Sequence, residues 1–303
     1  MRIALASCAG LPDWEVDDQP LHAALRHRGA ALEILPWDGV DVNWGAFDAV
    51  LVRTTWDYDT RPTAFLDWAR SVGPRLHNPL DVIRWNLDKR YLRALARAGV
   101  PVAPTQWLAP GDRIDLAAVL DQQGWSSGFL KPVVGASARA THRFPRTHAA
   151  EAQAWLEPVL AREAMMLQPY LPAVEVFGEV SAICVEGRPA HWVRKIPVPG
   201  DYRVQDDHGA SDQPYRPAPG DVDLVESVLA AAMHALGHER PLLYSRVDLL
   251  RAPGGGWMLT ELELIEPSLF FRHGPSTAGR LADALLARVR EQCSASARGS
   301  SAT

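Results

Sequence analysis

The sequence predicts an α/β protein in which a small parallel-sheet unit precedes a larger part of mixed strands and helices. Three observations predict it. Over residues 1 to about 86, apolar strands alternate with amphipathic helices, the order that strand–helix–strand units produce. Between 244 and 264, two runs of period-two alternation flank Pro253-Gly254-Gly255-Gly256, which reads as an antiparallel hairpin. At 303 residues, with 47% hydrophobic and 22% charged side chains, the chain exceeds one typical domain and can bury a sizeable core.

Taken in order, 2–7 is an apolar strand, 19–28 an amphipathic helix stopped by Gly29, 31–36 and 49–54 are strands, and 63–71 is a helix. No GxGxxG follows the first strand, where only Gly10 stands, so a dinucleotide site has little support. The third strand ends in Arg53-Thr54-Thr55-Trp56-Asp57, polar and aromatic groups at the end of a strand where open sheets bind ligands. A loop with a structural Arg is the alternative. Helices follow over 80–85 and 89–98, then a proline-bearing edge strand over 100–108 and a helix over 112–123. A strand then delivers Lys131 into a loop of small residues that includes Gly135 and Ser137, with Arg139, His142 and Arg143 close by. Small side chains let backbone N–H groups approach a phosphate while Lys and Arg supply charge, although the pattern is no Walker A loop. Next come a helix over 149–162, an apolar strand over 165–171 and a hairpin of 175–185 with 190–196, which places Glu175 and Glu179 on one face. Residues 198–219 are rich in Gly, Pro and Asp without periodicity and read as a lid, with Arg194, Lys195 and Arg203 at its base. A solvated insertion is the alternative. Helices over 222–236 and 278–292 complete the pattern, and 293–303 reads as a disordered tail.

The hairpin carries the chemistry. If its loop is four residues long, Asp248 lies opposite Glu261 and Arg246 opposite Glu263, all on one face, with Val247, Leu249, Met258, Leu262 and Leu264 on the other. Three carboxylates on one sheet face repel unless something neutralises them. A divalent cation carrying phosphate would do so, and an Arg among the acids suits an anion beside the metal. A solvated outer face is the bland alternative.

The net charge of -5, without a basic block, argues against nucleic acid or an anionic membrane as partner. Cys8, Cys184 and Cys293 have neither metal nor disulfide spacing, which fits a reducing cytoplasm. The first residues turn acidic too soon for a secretory leader, and no apolar run approaches a membrane span.

The ordered series is what resembles a known family. A Lys on an early helix, a strand Lys with a small-residue loop, the Gln168-Pro169-Tyr170-Leu171 segment, an acidic residue on the next strand, a basic lid, and Asp then Glu-x-Glu on paired strands together resemble the ATP-grasp ligases. The glutathione synthetase and D-alanine–D-alanine ligase branch is the most similar. The resemblance implies a domain preceding the ATP-grasp unit at 1–86, a central subdomain at 87–170 and a larger subdomain at 171–292. It implies that Lys89 and Lys131 hold ATP phosphates under a mobile loop at 135–141. Gln168, Tyr170 and Leu171 would form the adenine hinge and Glu179 would take the ribose. Asp248, Glu261 and Glu263 would bind Mg2+, or Mn2+ in its place, with Arg246 beside the transferred phosphate. Glu263 stands where the family often has Asn, and the phosphate loop has fewer glycines than usual.

The activity so implied is ATP-dependent carboxylate–amine ligation through an acyl phosphate, with Arg246, Lys195 and Arg203 as catalytic residues. Arg53, Thr55, Trp56, Asp57 and Ser268 are the candidates for holding a small amino-acid-like substrate, Arg for its carboxylate and Asp for its ammonium. The stretches RTTWDY, RWNLDKRYL, LQPYLPAVE, GEVS and ELELIEPSLF resemble family members that close a ring within one such substrate. Two-substrate ligation is the alternative, and a nucleotide-binding protein without ligase activity is a further one. The family's usual homodimer is expected.

Overall fold

The computed structural model describes residues 1–300 apart from Pro12 and Ser137, with backbone alone for 13–15 and 296–300. Its first sheet is parallel, as expected: β1 (Arg2–Ser7), β2 (Ala31–Pro36), β3 (Ala49–Thr54) and β4 (Leu76–His77) lie in the order β2-β1-β3-β4. The strands β1 and β3 are apolar runs because both faces of a parallel sheet are covered. Helix α1 (Gln19–His27) packs on one face and α2 (Pro62–Val72) on the other, the latter through an aromatic cluster of Trp37, Trp44, Phe65 and Trp68.

Two short helices follow, α3 (Leu80–Leu87) and α4 (Tyr91–Arg97). Lys89 falls in the turn between them and not on a helix, because Asp88 caps the backbone N–H of Arg90 and breaks the run. The strand expected over 100–108 shrinks to β5 (Gln106–Leu108), since Pro101 and Pro104 withhold donors from a ladder. Helix α5 (Leu116–Gln123), β6 (Ser127–Pro132), β7 (His142–Pro145), α6 (Ala149–Leu160) and β8 (Met165–Pro169) complete an antiparallel sheet ordered β5-β8-β6-β7. The strand β7 was expected as loop; its pairing with β6 makes it a strand. The helices α5 and α6 cover one face of this sheet.

The third sheet is antiparallel and forms the floor of the site. Glu175 sits on the short helix α7 (Ala173–Val176), where Arg143 takes its carboxylate, so it does not share a strand face with Glu179. From β9 (Glu179–Val185) the chain turns into β10 (Arg188–Ile196), and β11 (Ser211–Pro214) pairs with β10, so part of the expected lid is an edge strand. Helix α8 (Pro219–Leu236) leads to β12 (Tyr244–Arg251) and β13 (Trp257–Glu263), giving the order β11-β10-β9-β12-β13. The final helix α9 (Pro275–Ser300) runs through most of the stretch expected as a tail. Its apolar face, Leu281, Leu285 and Val289, packs between the first and third sheets.

The hairpin differs from expectation twice, and the two differences cancel. Arg251 pairs with Trp257, so five residues connect the strands and not four. The register then slips at Thr260, a bulge, and Asp248 still faces Glu261 and Arg246 still faces Glu263. Beyond the bulge the faces exchange: Leu259 is fully buried in the core, while Met258 packs with Leu250 against Tyr202. The free edge of β13 is satisfied by other elements. Leu262 is bonded by Asn86 (2.7 Å) and Tyr91 (2.9 Å), and the N–H of Leu259 donates to the Pro101 carbonyl at 2.7 Å. Asn78 ties the first sheet to the hairpin through Leu243, Tyr244 and Leu264.

Candidate active site

A cavity of about 980 Å3 opens where the three sheets meet. Its floor comes from β9, β10, β12 and β13, its roof from β6, β8 and the loop after them, and its sides from Trp56, Tyr58 and the lid.

The floor interleaves acids with cations. Asp248 is 2% exposed, accepts from Ser181 at 2.6 Å and takes Arg246 at 2.8–3.2 Å. Burial would raise its pKa, but the charges of Arg246 and Lys195 more than offset that and hold it at about 2. Arg246 also grips Glu263, and Lys195 pairs with Glu179 and approaches Asp248 at 3.7 Å. Lys89 bonds Glu261 at 3.0 Å and the Gly135 carbonyl at 2.7 Å. The bulge residue Thr260 donates to Glu179 and to the Asp248 carbonyl, so the irregularity that corrects the register also ties the acids together.

This charge balance fits a polyphosphate with a divalent cation. Burial, reinforced by Asp248 and Glu261, pushes Glu263 up to about 7 against the pull of Arg246. Burial and the neighbouring Glu263 push Glu266 to about 8. Both acids want more positive charge than the side chains provide. Lys131 is the converse: burial, aided by the nearby Lys89, lowers its pKa, and its Nζ reaches the Thr260 carbonyl at 3.4 Å. Phosphate oxygens would satisfy it. Among the described residues no group of three His, Cys, Asp or Glu is arranged to hold a metal ion by itself. The acids are drawn to Lys89, Lys195 and Arg246, so a metal here would take phosphate oxygens among its ligands and displace those pairs.

The other expected residues divide. Gly135, Gln168, Tyr170, Leu171, Trp56, Arg203 and Ser268 line the cavity, and Ser137 lies outside the described residues. Gln168 donates to Thr105, while Tyr170 bonds Arg143 and Glu175. Arg203 is clamped by Asp201 at 2.7 Å. Arg53 does not face the cavity: it is 2% exposed, makes a two-point pair with Asp18 (2.8 and 2.9 Å) and donates to the Pro267 carbonyl. Asp57 is turned away as well, accepting from Trp37 and Arg61 at 2.8 Å each. Thr55 is fully buried and outside the lining. Asn86, Tyr58, Glu266, Tyr202 and Arg272 line the cavity without having been expected there. Of these, Tyr58, Asn86 and Glu266 lay inside stretches singled out from the sequence, RTTWDY, RWNLDKRYL and ELELIEPSLF.

A parallel-sheet domain followed by two antiparallel α+β units that enclose a Lys-, Arg- and acid-lined cavity defines the ATP-grasp ligases. A RimK domain ATP-grasp protein from Sphaerobacter thermophilus has this fold, at a TM-score of 0.66 and 19% identity over 94% of this chain and 100% of that one. Other ATP-grasp ligases have been solved with ATP, as in the D-alanine–D-alanine ligase of Bacillus anthracis, and with Mg and ADP, as in PsnB. Residues 3–78 match the model of the D-cycloserine synthetase DcsG N-terminal domain. Over 305 residues the chain is 34% identical to the cycloserine biosynthesis protein DcsG of Streptomyces lavendulae, covering 95% of this chain and 99% of that protein. The crystal structure of D-cycloserine synthetase DcsG superposes at a TM-score of 0.87 with 32% identity, over 95% of this chain and 100% of that one. The chain belongs to the DcsG family of ATP-grasp ligases.

Proposed function

We propose that the chain activates the carboxylate of O-ureido-D-serine with ATP and closes the ring of D-cycloserine within that one substrate, releasing ADP and phosphate, while water takes the carbamoyl group from the ring nitrogen as carbamate, which breaks down to carbon dioxide and ammonia. The carrying observation is the cavity's charge pattern: Arg246 and Lys195 on the floor, Lys89 from the turn before α4 and Lys131 on the roof face Glu179, Glu261 and Glu263, with Asp248 buried beneath Arg246. The full-length likeness to DcsG, a cycloserine biosynthesis protein, supports that choice of substrate.

Phosphoryl transfer needs positioning and charge neutralisation more than covalent help. Asp248, Glu261 and Glu263 would hold Mg2+, which supplies the charge that clamps phosphate oxygens. Lys89 and Lys131 offset the charge that develops as a substrate carboxylate oxygen attacks the terminal phosphorus and ADP leaves. Arg246, with a nearly buried guanidinium, stabilises the oxyanion formed when the substrate's own nitrogen adds to the acyl carbon and phosphate departs. Lys195 supports it from β10, and the lid that bears Arg203 excludes water. Gln168, Tyr170 and Leu171 line the adenine end. The Lys195 pair with Glu179 separates when Glu179 takes the ribose.

The same proposal includes Mn2+ as a substitute metal, division of the chain near 86 and 170, a homodimer, and a reducing cytoplasm in which Cys8, Cys184 and Cys293 stay free. A substrate panel tests it. Phosphate release should be greatest with O-ureido-D-serine alone, above D-alanine or small dipeptides; a requirement for a second amine would make the chain a two-substrate ligase.

A further inference from the structure

The densest charge cluster outside the floor surrounds Arg272. Its Nη1 meets Asp17 at 2.9 Å, its Nη2 meets Asp206 at 2.9 Å and also Asp212, and its Nε reaches Asp212 at 3.2 Å. His273 adds a second cation-capable contact to Asp212. Asp17 belongs to the first domain, while Asp206 and Asp212 belong to the lid and its edge strand β11. The side chains of Asp17 and Asp212 are only 12% and 8% exposed, so these bonds are partly shielded from water. Burial opposes the charge on Arg272, but its three acids prevail and raise its pKa. These contacts occupy four of the five N–H donors of the guanidinium.

The cluster is coupled to the floor by one ring. Phe270 lines the cavity, with Arg246 5.7 Å and Arg272 4.9 Å from its ring centroid. Its φ is +47°, a conformation that is costly for a bulky side chain and persists only where the surroundings hold it.

We infer that Arg272 is a positioning residue that latches the lid to the first domain and thereby keeps water away from the activated carboxylate. The inference rests on the acyl-phosphate reading above. Without the guanidinium, Asp17, Asp206 and Asp212 repel one another across the seam and the lid loosens. Water then competes with the ring nitrogen: its oxygen adds to the acyl carbon, the bond to phosphate breaks, and the free acid is regenerated. ATP is consumed without ring product.

Arg272→Met keeps the stem against Phe270 and removes the charge. With ATP, Mg2+ and O-ureido-D-serine, ADP formation should stay within about threefold of the parent while ring product per ADP falls by roughly threefold or more. Amide exchange over 203–213, measured with Mg2+ and a non-hydrolysable ATP analogue, should quicken, and Arg272→Lys should fall between. Unchanged product per ADP overturns the latch. So does lost ADP formation with unchanged exchange, which would put Arg272 on the substrate. Should Arg272→Met fail to fold, Asp206→Asn combined with Asp212→Asn opens the seam from the lid side and is judged by the same two readouts. A parent that makes no ring from this substrate sinks the substrate assignment, and the exchange comparison still decides the latch.

Discussion

Replacing Glu266 by Gln should stabilise the ligand-free protein by an amount that grows with pH. Glu266 is 8% exposed, and burial with the charge of Glu263 behind it moves its pKa from an ordinary 4.5 to about 8. Below 4.5 the group is protonated in both folded and unfolded chains, and its ionisation does not bear on stability. Between 4.5 and 8 the unfolded chain gives up the proton and the folded chain keeps it, so stability falls as pH rises. At 1.36 kcal/mol for each unit of pH, the loss levels off above pH 8 at about 3–5 kcal/mol. Gln keeps the shape and the bond with Tyr58 but cannot ionise. Urea unfolding of both proteins at pH 5 to 9, without nucleotide, reads the difference directly. Glu263, held at about 7, titrates in both proteins, and because its charge acts on Glu266 the gain is read from pH 5 to the plateau and not at one pH. A difference that is flat with pH, or a Gln variant less stable at pH 9, would refute the reasoning.

Asp248→Asn should lower substrate-dependent ADP formation by roughly a hundredfold or more, because it removes a proposed metal ligand and unbalances Arg246 and Lys195; activity near the parent's would remove Asp248 from the site. Arg53→Met strands Asp18 and should cost about 3–5 kcal/mol in urea unfolding. In the folded fraction its KM for substrate should change little, and a large rise in KM would return Arg53 to substrate binding. Gly178→Ala forces a residue at φ +95° to place Cβ on the Lys195 carbonyl oxygen, so stability should drop by roughly 1–3 kcal/mol and Lys195 should shift. An unaffected melting curve would contradict that placement.

The parallel sheet was legible because its strands are short apolar runs and its first helix stops at Gly29, which has a φ of +81°. That Lys89, Lys131 and the hairpin acids Glu261 and Glu263 share one cavity was legible as an ordered series, although each alone is common. The hairpin shows the limit. Alternation gave the right facing pairs at Asp248 and Arg246 through an assumed four-residue loop, whereas the chain uses five residues and a bulge at Thr260. Period-two patterning carries no mark for an unpaired residue, so Met258 was placed on the wrong face. Arg53 misled for a different reason. Its partner Asp18 lies in a short 3-10 segment far upstream with no periodicity to announce it, and a buried pair and an anion site look alike along the chain. The Arg272 cluster joins residues more than 250 positions apart, so only folding brings it together.

The most direct test of the account labels both carboxylate oxygens of O-ureido-D-serine with 18O and follows turnover with ATP and Mg2+. Activation through an acyl phosphate predicts that each inorganic phosphate released carries one labelled oxygen and that ring product retains the other, with one ring formed for each ADP. Phosphate free of label, alongside ring product, would contradict transfer to the carboxylate over the Arg246, Asp248, Glu261 and Glu263 floor.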